Sequence, residues 1–282
     1  MNVNLDNFRH QLPQFVKIAL DEDVGDGDIT AALIPENTEA KATVITREDC
    51  VVCGQAWVNE VFSQVGGVNS PSWHVEEGQH VAANTNLFTV EGSARGILTA
   101  ERTALNFLQL LSGIATKSNA YRTRLKDKNI RILDTRKTIP GLRLAQKYAV
   151  SVGGCDNHRI GLYDAFLIKE NHIAAAGGIH LAVTHAKALY PDKPIIVEVE
   201  TIDELKQAIE AKVDRVMLDN FSAEQKLQAF ALDKKGVLYE ASGNVDLDNI
   251  HELEAEGIDC ISIGDLTKNI QCIDLSMRFT QE

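Results

Sequence analysis

The sequence predicts a two-part α/β protein: a β-rich α+β N-terminal domain, then a seven-stranded, incomplete TIM-like α/β barrel. Three observations carry this reading. From residue 130 onward, short β-branched runs alternate with amphipathic stretches, the pattern of a parallel sheet covered by helices. Residues 1–110 lack that rhythm and show alternating strands separated by Gly and Asn turns. Polar residues recur just after the barrel strands, where enzymes of this architecture keep their reactive groups.

In chain order, Leu5 to Leu20 places Leu5, Phe8, Leu12, Phe15, Ile18 and Ala19 at helical spacing. Asp21 to Asp28 is an acidic loop punctuated by glycine. It has Ala32 where a calcium loop needs its bidentate glutamate, so Asp28 reads as a turn or helix-cap residue. Residues 41–53 alternate as a half-buried strand does, and 75–92 read as short strands joined by turns. That hairpin pattern is similar to a lipoyl or biotinyl carrier, but no lysine lies between His74 and Gly96 to carry the group. A long helix follows from Leu98 to Lys126, with a kink or break expected at Ser112-Gly113. Glu101 and Arg102, near its start, read on their own as a solvated pair.

The expected barrel strands are Ile130–Asp134, Ala149–Val152, Ala165–Ile168, Ile195–Val199, Arg215–Leu218, Val237–Tyr239 and Cys260–Ile263. Ile202–Ala211, Ser222–Ala231 and Leu247–Glu256 are amphipathic and read as intervening helices. No eighth strand is apparent, hence the incomplete barrel. The expected domains are 1–112 (α+β), 113–270 (barrel) and a C-terminal segment, 271–282, packing back on the first.

Composition excludes several classes. A formal net charge of −12 argues against general nucleic-acid binding. No apolar run approaches a membrane span, and the N-terminus carries no apolar signal core, so a cytoplasmic protein is expected. Five cysteines without framework spacing read as free thiols, and Cys50-Val-Val-Cys53 as core thiols rather than half of a zinc site. There is no Walker A string, and Gly25-Asp26-Gly27 lacks the third glycine of a dinucleotide fingerprint.

Against that acidic background, Arg131 to Lys169 holds seven Lys and Arg but only three Asp, a local basic patch suited to a small anion. The barrel reading sorts its polar residues by strand end. Thr135, Arg136 and Lys137 follow the first strand, and His158 and Arg159 the second. Lys169 follows the third, Glu198 and Glu200 lie at the end of the fourth, and Asp219 and Asn220 follow the fifth. Ser242-Gly243-Asn244 and Gly264-Asp265 follow the last two. Arginines suit planar carboxylates or phosphate. Carboxylates suit a divalent metal or a developing cation. Glycine turns before helices suit phosphate. Together they describe one poly-anionic small molecule and one metal-bound phosphorylated sugar.

Six strings in order make the chain resemble the quinolinate phosphoribosyltransferase family (carboxylating nicotinate-nucleotide diphosphorylases) nearly end to end. They are Asp134-Thr-Arg-Lys-Thr-Ile-Pro-Gly-Leu-Arg143, Asn157-His-Arg159, Phe166-Leu-Ile-Lys-Glu-Asn-His172, Val197-Glu-Val-Glu200, Leu218-Asp-Asn-Phe221 and Ala241-Ser-Gly-Asn244; Glu101-Arg-Thr-Ala-Leu-Asn106 adds to them. The resemblance implies a homodimer with the active site at the subunit interface. It implies that quinolinate and 5-phosphoribosyl 1-diphosphate, with Mg²⁺, give nicotinate mononucleotide, diphosphate and CO₂ in de novo NAD synthesis. Carried over by motif, Thr135, Arg136, His158, Arg159 and Lys169 would bind quinolinate, with Lys137 at its edge or at the diphosphate. Arg102 would come from the neighbouring subunit, against its solvated reading. Glu198 and Asp219 would serve the metal-bound ribose. Ser242, Gly243, Asn244, Gly264 and Asp265 would line the 5-phosphate site, and Lys137, Lys169, Glu198 and Asp219 would be the catalytic set. The chain departs from the family pattern at Ile139, Cys155 and Asp265. Rival readings are a molybdenum-transport-associated pyrophosphorylase-like relative, a Schiff-base aldolase using Lys169, and a non-catalytic sensor of sugar phosphates.

Overall fold

The computed structural model describes residues 2–243, 245–254 and 257–280. In chain order the elements are α1 (Leu12–Val24), β1 (Glu39–Thr46), β2 (Cys50–Val51), α2 (Gln55–Val65), β3 (Ser72–Trp73), β4 (His80–Val81), β5 (Asn86–Ser93) and α3 (Ala94–Arg124). There follow β6 (Arg131–Leu133), α4 (Arg143–Val152), β7 (Phe166–Ile168), α5 (Glu170–Ala176), α6 (Ile179–Leu189), β8 (Ile195–Val199) and α7 (Ile202–Glu210). The chain closes with β9 (Arg215–Asp219), α8 (Ala223–Phe230), β10 (Leu238–Ser242), β11 (Cys260–Ser262), α9 (Asp265–Lys268) and β12 (Leu275–Phe279).

Two compact units result. One comprises 2–119, 144–154 and the chain from 269 on; the other comprises 120–143 and 155–268. The first holds an antiparallel sheet in the order β12-β1-β5-β3. The C-terminal strand β12 pairs with β1 from Ala42↔Phe279 to Thr46↔Leu275. Beneath the sheet, Trp57, Phe62, Phe88, Leu105, Leu108 and Leu111 are fully buried. The N-terminal helix starts only at Leu12. Pro13 fits a helix's first turn but not its interior, so Leu5 to Gln11 folds as two short 3₁₀ turns instead. Asp28 is a turn residue, one of the two roles its sequence context suggested: its Oδ1 accepts from the Thr30 and Ala31 amides at 3.0 and 2.9 Å, ahead of the 3₁₀ turn Ala31–Leu33.

Ser112-Gly113 does not end the long helix, which runs unbroken as α3. The pair has a packing role. Ser112 Oγ accepts from the Cys53 amide (3.0 Å) and donates to the Cys53 carbonyl (3.1 Å). A Cβ on Gly113 would fall 2.1 Å from the Gln271 carbonyl oxygen, so only glycine admits that chain. Cys50 and Cys53 are buried thiols.

The second unit is built on an all-parallel sheet, order β6-β11-β10-β9-β8-β7. Ile132, Val197, Val216, Leu218 and Ile261 form its buried middle. Six of the seven expected strands are present. The exception is Ala149–Val152, which is the last turn of helix α4. A four-residue apolar run does not separate a strand from a helix end, and Ala145, Ala149 and Val150 lie on the helix's buried face. The missing strand lies beyond the Gly153-Gly154 turn. Asp156 bridges Leu133 in parallel, with Asp156 N donating to Ile132 O (2.7 Å) and Asp134 N to Asp156 O (3.1 Å). The ladder therefore runs from Asp156 through β6 to β7.

Two outer helices form where expected because both carry reciprocal caps. Thr201 Oγ1 accepts from Glu204 N while Glu204 accepts from Thr201 N, and Ser222 and Gln225 repeat the arrangement on α8. Leu247–Glu256 forms only a 3₁₀ turn, Ile250–Leu253, and its last two residues lie outside the described residues. Among the described residues no helix is long and apolar enough to cross a membrane.

Candidate active site

All strands of the second unit run the same way, so their C-terminal ends share one edge. That edge gathers the residues singled out in the sequence. Thr135–Lys137 leave β6, Asn157–Arg159 leave the Asp156 bridge, and Lys169 leaves β7. Glu198 lies in β8, Asp219 ends β9, Ser242 ends β10, and Gly264-Asp265 leave β11. Register refines the grouping. Glu198 and Glu240 both pair with Met217, and Asp219 pairs with Ser242 one pleat further on. Because side chains alternate along a strand, all five point to one face of the sheet.

Cations line one part of this edge. Arg136 is half-buried, and its Nε has no hydrogen-bond partner among the described residues. Arg159 is close enough that its own burial, and then the Arg136 charge, lower its pKa; Asp164 opposes them. Asp164 also accepts the Ile160 and Gly161 amides at 2.6 and 3.0 Å, which shapes the turn after Arg159. The exit from β6 is pinned from both sides. Thr135 Oγ1 accepts the Lys137 amide (3.1 Å), and Thr267 Oγ1 donates to the Lys137 carbonyl (2.8 Å). A Cβ on Gly264 would sit 3.1 Å from Lys137 Cδ, so the small residue after β11 leaves the lysine its path.

Lys169 and Glu198, given separate roles by the family resemblance, form an ion pair. Nζ lies 2.6 and 2.8 Å from the two carboxylate oxygens. The lysine side chain is 42% exposed and the glutamate 12%, so the pair opens toward solvent through the lysine. Glu200 is exposed and sits in the turn, where its amide donates to Glu204 (2.9 Å). Of the two glutamates, only Glu198 belongs to the sheet.

The ends of β9 and β10 interlock. Gly243 has φ +104°, and a Cβ there would lie 2.3 Å from Asn220 Oδ1, while Asn220 itself adopts φ +52°. Both values fall in the left-handed region that glycine and asparagine tolerate best. Asn244 lies outside the described residues. Asp265 takes the Tyr121 hydroxyl on Oδ2 at 2.9 Å, so its carboxylate is tied to the scaffold.

Arg102 belongs to the other unit. It is exposed on α3 and lines a cavity of about 330 Å³ with Asp23, Asp28 and Thr99.

Sequence reasoning missed the layer behind the edge. Asp134 is fully buried; its Oδ2 accepts from Asn157 Nδ2 (2.7 Å) and its Oδ1 from the His158 amide (2.8 Å). Glu240, also fully buried, accepts from Arg215 Nη1 (2.8 Å) and faces His158 Nε2 (3.5 Å). Burial alone would raise the Glu240 carboxyl; the His158 contact and Arg215 outweigh it and hold the pKa below the usual range. The available signal was a glutamate inside the apolar run Val237-Leu-Tyr-Glu-Ala241. Cys155, whose thiol burial pushes up to about 12, is a core residue.

No group of three or more His, Cys, Asp or Glu that could cage a metal occurs among the described residues. Two carboxylates on adjacent strands, Glu198 and Asp219, do occur. That donor set fits Mg²⁺ held mainly by phosphate oxygens and water, the usual arrangement for this ion.

Residues 28–112 match the family model described as the quinolinate phosphoribosyl transferase N-terminal domain, and 114–278 match its C-terminal domain. The chain is 38% identical over 269 residues to the nicotinate-nucleotide pyrophosphorylase (carboxylating) of Mycobacterium leprae, covering 93% of this chain and 95% of that one. It is 37% identical over 294 residues to the chloroplastic enzyme of that name from Oryza sativa, covering 97% and 79%. The solved nicotinate-nucleotide pyrophosphorylase from Francisella tularensis superposes with a TM-score of 0.93 at 48% identity, covering 96% of each chain. With matched domains spanning nearly its whole length and the same fold, this chain belongs to the quinolinate phosphoribosyltransferase family.

Proposed function

We propose that this chain transfers the phosphoribosyl group of 5-phosphoribosyl 1-diphosphate to quinolinate and decarboxylates the product. Nicotinate mononucleotide, diphosphate and CO₂ leave, a step of de novo NAD synthesis. The observation that carries the reading is the division of one sheet edge into a cation cluster (Arg136, Lys137, Arg159, Lys169) beside two carboxylates (Glu198, Asp219) and a glycine turn. A pyridine dicarboxylate needs the first, a ribosyl cation the second, and a phosphate the third.

The chemistry follows from placement. The buried Arg136 Nε beside Arg159 is a donor suited to a carboxylate, and paired guanidiniums fix a planar dianion's orientation. Lys169 keeps one donor beyond the two given to Glu198, so it can hold a ring carboxylate without releasing the glutamate. As the diphosphate leaves, positive charge develops at the ribose C1, and Glu198 and Asp219 on the same face favour it. The ring nitrogen forms the new bond to C1. The alkylated, cationic ring then accepts the electron pair of the bond to the adjacent carboxylate; CO₂ departs and that carbon takes a proton. The cations position the substrate for this rather than attack it. Mg²⁺, where Glu198 and Asp219 contribute to holding it, would neutralise the departing diphosphate. Gly243, Ser242, Gly264 and the backbone of Asp265 would receive the 5-phosphate; Asn244 joins them by motif. Lys137 would stand between the two substrates.

The proposal includes a homodimer in which Arg102 of each chain completes its neighbour's site, and a cytoplasmic setting, which the free cysteines support. A Schiff-base role for Lys169 gains no support, since Nζ is held by both oxygens of Glu198. The test is product formation from quinolinate, phosphoribosyl diphosphate and Mg²⁺. Nicotinate mononucleotide should appear, and EDTA should stop it. A folded protein that yields none overturns the reading. Mixing Arg102→Ala with Lys169→Ala chains should restore part of the activity through hybrid dimers. No recovery after verified subunit exchange would refute the shared site.

A further inference from the structure

Arg136 and Arg159, the two arginines offered to the dicarboxylate, stand on separate loops. Both loops leave one bridged pair, Leu133 and Asp156, and each arginine comes three residues after its bridged position. They are near enough that the Arg136 charge, after burial, lowers the Arg159 pKa. Like charges repel, so their spacing has to be imposed from outside the pair. Two ties cross between the loops.

The inner tie is Asp134, fully buried at the end of β6. Its Oδ1 accepts the His158 amide at 2.8 Å, and its Oδ2 accepts Asn157 Nδ2 at 2.7 Å. A backbone bond from Asp134 N to Asp156 O (3.1 Å) joins the same two segments one step earlier. The carboxylate therefore carries the pairing onward, to where strand gives way to loop. It presents an acceptor to each of two donors, where an amide would turn an N–H toward one of them. Both oxygens are bonded, which offsets the cost of burying the charge.

The outer tie is Arg143, the first residue of α4. Its Nε donates to Thr138 Oγ1 at 3.1 Å and its Nη1 to the Ile160 carbonyl at 3.2 Å. Thr138 in turn gives its amide to the Arg136 carbonyl (3.0 Å), and Ile160 directly follows Arg159. One guanidinium thus grips both loops just past the two arginines.

We propose that Asp134 and Arg143 are positioning residues for the dicarboxylate substrate: they fix the spacing of Arg136 and Arg159 from opposite ends without touching substrate themselves. His158 stays with the arginines among the groups offered to substrate, its backbone held by Asp134. The proposal rests on the quinolinate reading above.

Three variants test it: Asn157→Asp, Asn157→Asp combined with Asp134→Asn, and Arg143→Met. Asn157→Asp sets a second carboxylate against Asp134. It should raise the quinolinate KM about ten-fold and leave the phosphoribosyl diphosphate KM within about two-fold. The double variant exchanges donor and acceptor: the new amide at 134 accepts from the His158 amide and donates to the new carboxylate at 157. It should bring the quinolinate KM back to within about three-fold of wild type. Arg143→Met keeps the length of the side chain but none of its donors, and should raise the quinolinate KM about ten-fold with the other constant unmoved. A purely structural role would lower the melting temperature and move both constants together, and that result overturns the proposal. So does a folded double variant no better than Asn157→Asp alone. If the variants at 134 and 157 do not fold, Arg143→Met decides, and an unchanged quinolinate KM there overturns the proposal. Calorimetry with quinolinate separates the two readings. A folded wild type that binds none removes the quinolinate reading and this proposal with it. Tight binding by wild type, matched by Asn157→Asp and Arg143→Met, overturns the proposal alone.

Discussion

Replacing Lys169 with alanine perturbs the candidate site at its most explicit contact. The ammonium lies 2.6 and 2.8 Å from the oxygens of Glu198. Two opposite charges at about 4 Å in a medium of effective dielectric constant about 20 attract by about 4 kcal/mol. Lys169 is more than a third exposed, and exposed pairs contribute only about 0–1 kcal/mol, so about 2 kcal/mol is a fair middle value for a pair whose glutamate is 12% exposed. Without the lysine, Glu198 stands uncompensated where a dianion must bind. About 2 kcal/mol corresponds to roughly a 30-fold loss of kcat/KM, and losing the proposed contact to a ring carboxylate adds to it. The assay is steady-state formation of nicotinate mononucleotide, with quinolinate varied at saturating phosphoribosyl diphosphate. Most of the loss should fall in the quinolinate KM, and the melting temperature should drop by no more than a few degrees. A double-mutant cycle with Glu198→Gln should be non-additive, because the two side chains touch. Unchanged quinolinate kinetics, or strict additivity, would refute the reasoning.

Other outcomes follow from single observations. Gly243→Ala forces a left-handed φ on alanine and crowds Asn220, so it should cost about 1–2 kcal/mol, or roughly 4 °C, and weaken phosphoribosyl diphosphate before quinolinate; unaltered stability and KM would contradict it. Glu240, whose folded pKa is depressed, stabilises the protein fully above its unfolded value of about 4.3, and that contribution disappears as pH falls through the lower folded value. The melting-temperature gap between wild type and Glu240→Gln should therefore be level near neutrality and shrink in acid; a gap that widens in acid reverses the sign and the argument. The groups facing Glu240 in this comparison are Arg215, His158 and the Cys260 thiol. Of the five cysteines only Cys272 is exposed, so a maleimide should label it first in the native chain and reach the other four only on unfolding. Rapid native labelling of Cys155 would contradict its burial.

The fold was legible wherever one periodicity dominated. Strands Ile195–Val199 and Arg215–Leu218 are mostly β-branched or apolar, each with one charged residue (Glu198, Arg215), and helices α7 and α8 announce themselves by Thr201/Glu204 and Ser222/Gln225. Ala149–Val152 was misread because a short apolar run carries no period. The strand that replaces it is a single bridge at Asp156, too brief to leave a pattern. Ser112-Gly113 looked like a break because its role is long-range: the partners are Cys53 and Gln271, far away in sequence.

The candidate site divides the same way. Arg136, Arg159, Lys169, Glu198 and Asp219 could be found because charges at or just after strand ends stand out against apolar neighbours. Their couplings could not. That Lys169 pairs with Glu198, that Gly243 makes room for Asn220, and that Glu240 reaches His158 all depend on which strands are neighbours, and strand order is not written in any local stretch. Asp265, where the chain departs from the family pattern, takes the Tyr121 hydroxyl on its carboxylate, a tie across 144 positions that no local stretch reveals.

The central claim is tested most directly by product stoichiometry. Purified protein would be given phosphoribosyl diphosphate and Mg²⁺ with either carboxyl-labelled quinolinate or nicotinate, and both CO₂ and nicotinate mononucleotide would be counted. Equal amounts of the two products from quinolinate, with nicotinate inert, is the expected result, because the proposed role of the cation cluster is to hold two carboxylates. Turnover of nicotinate at a comparable rate, or nucleotide formed without CO₂, would contradict it.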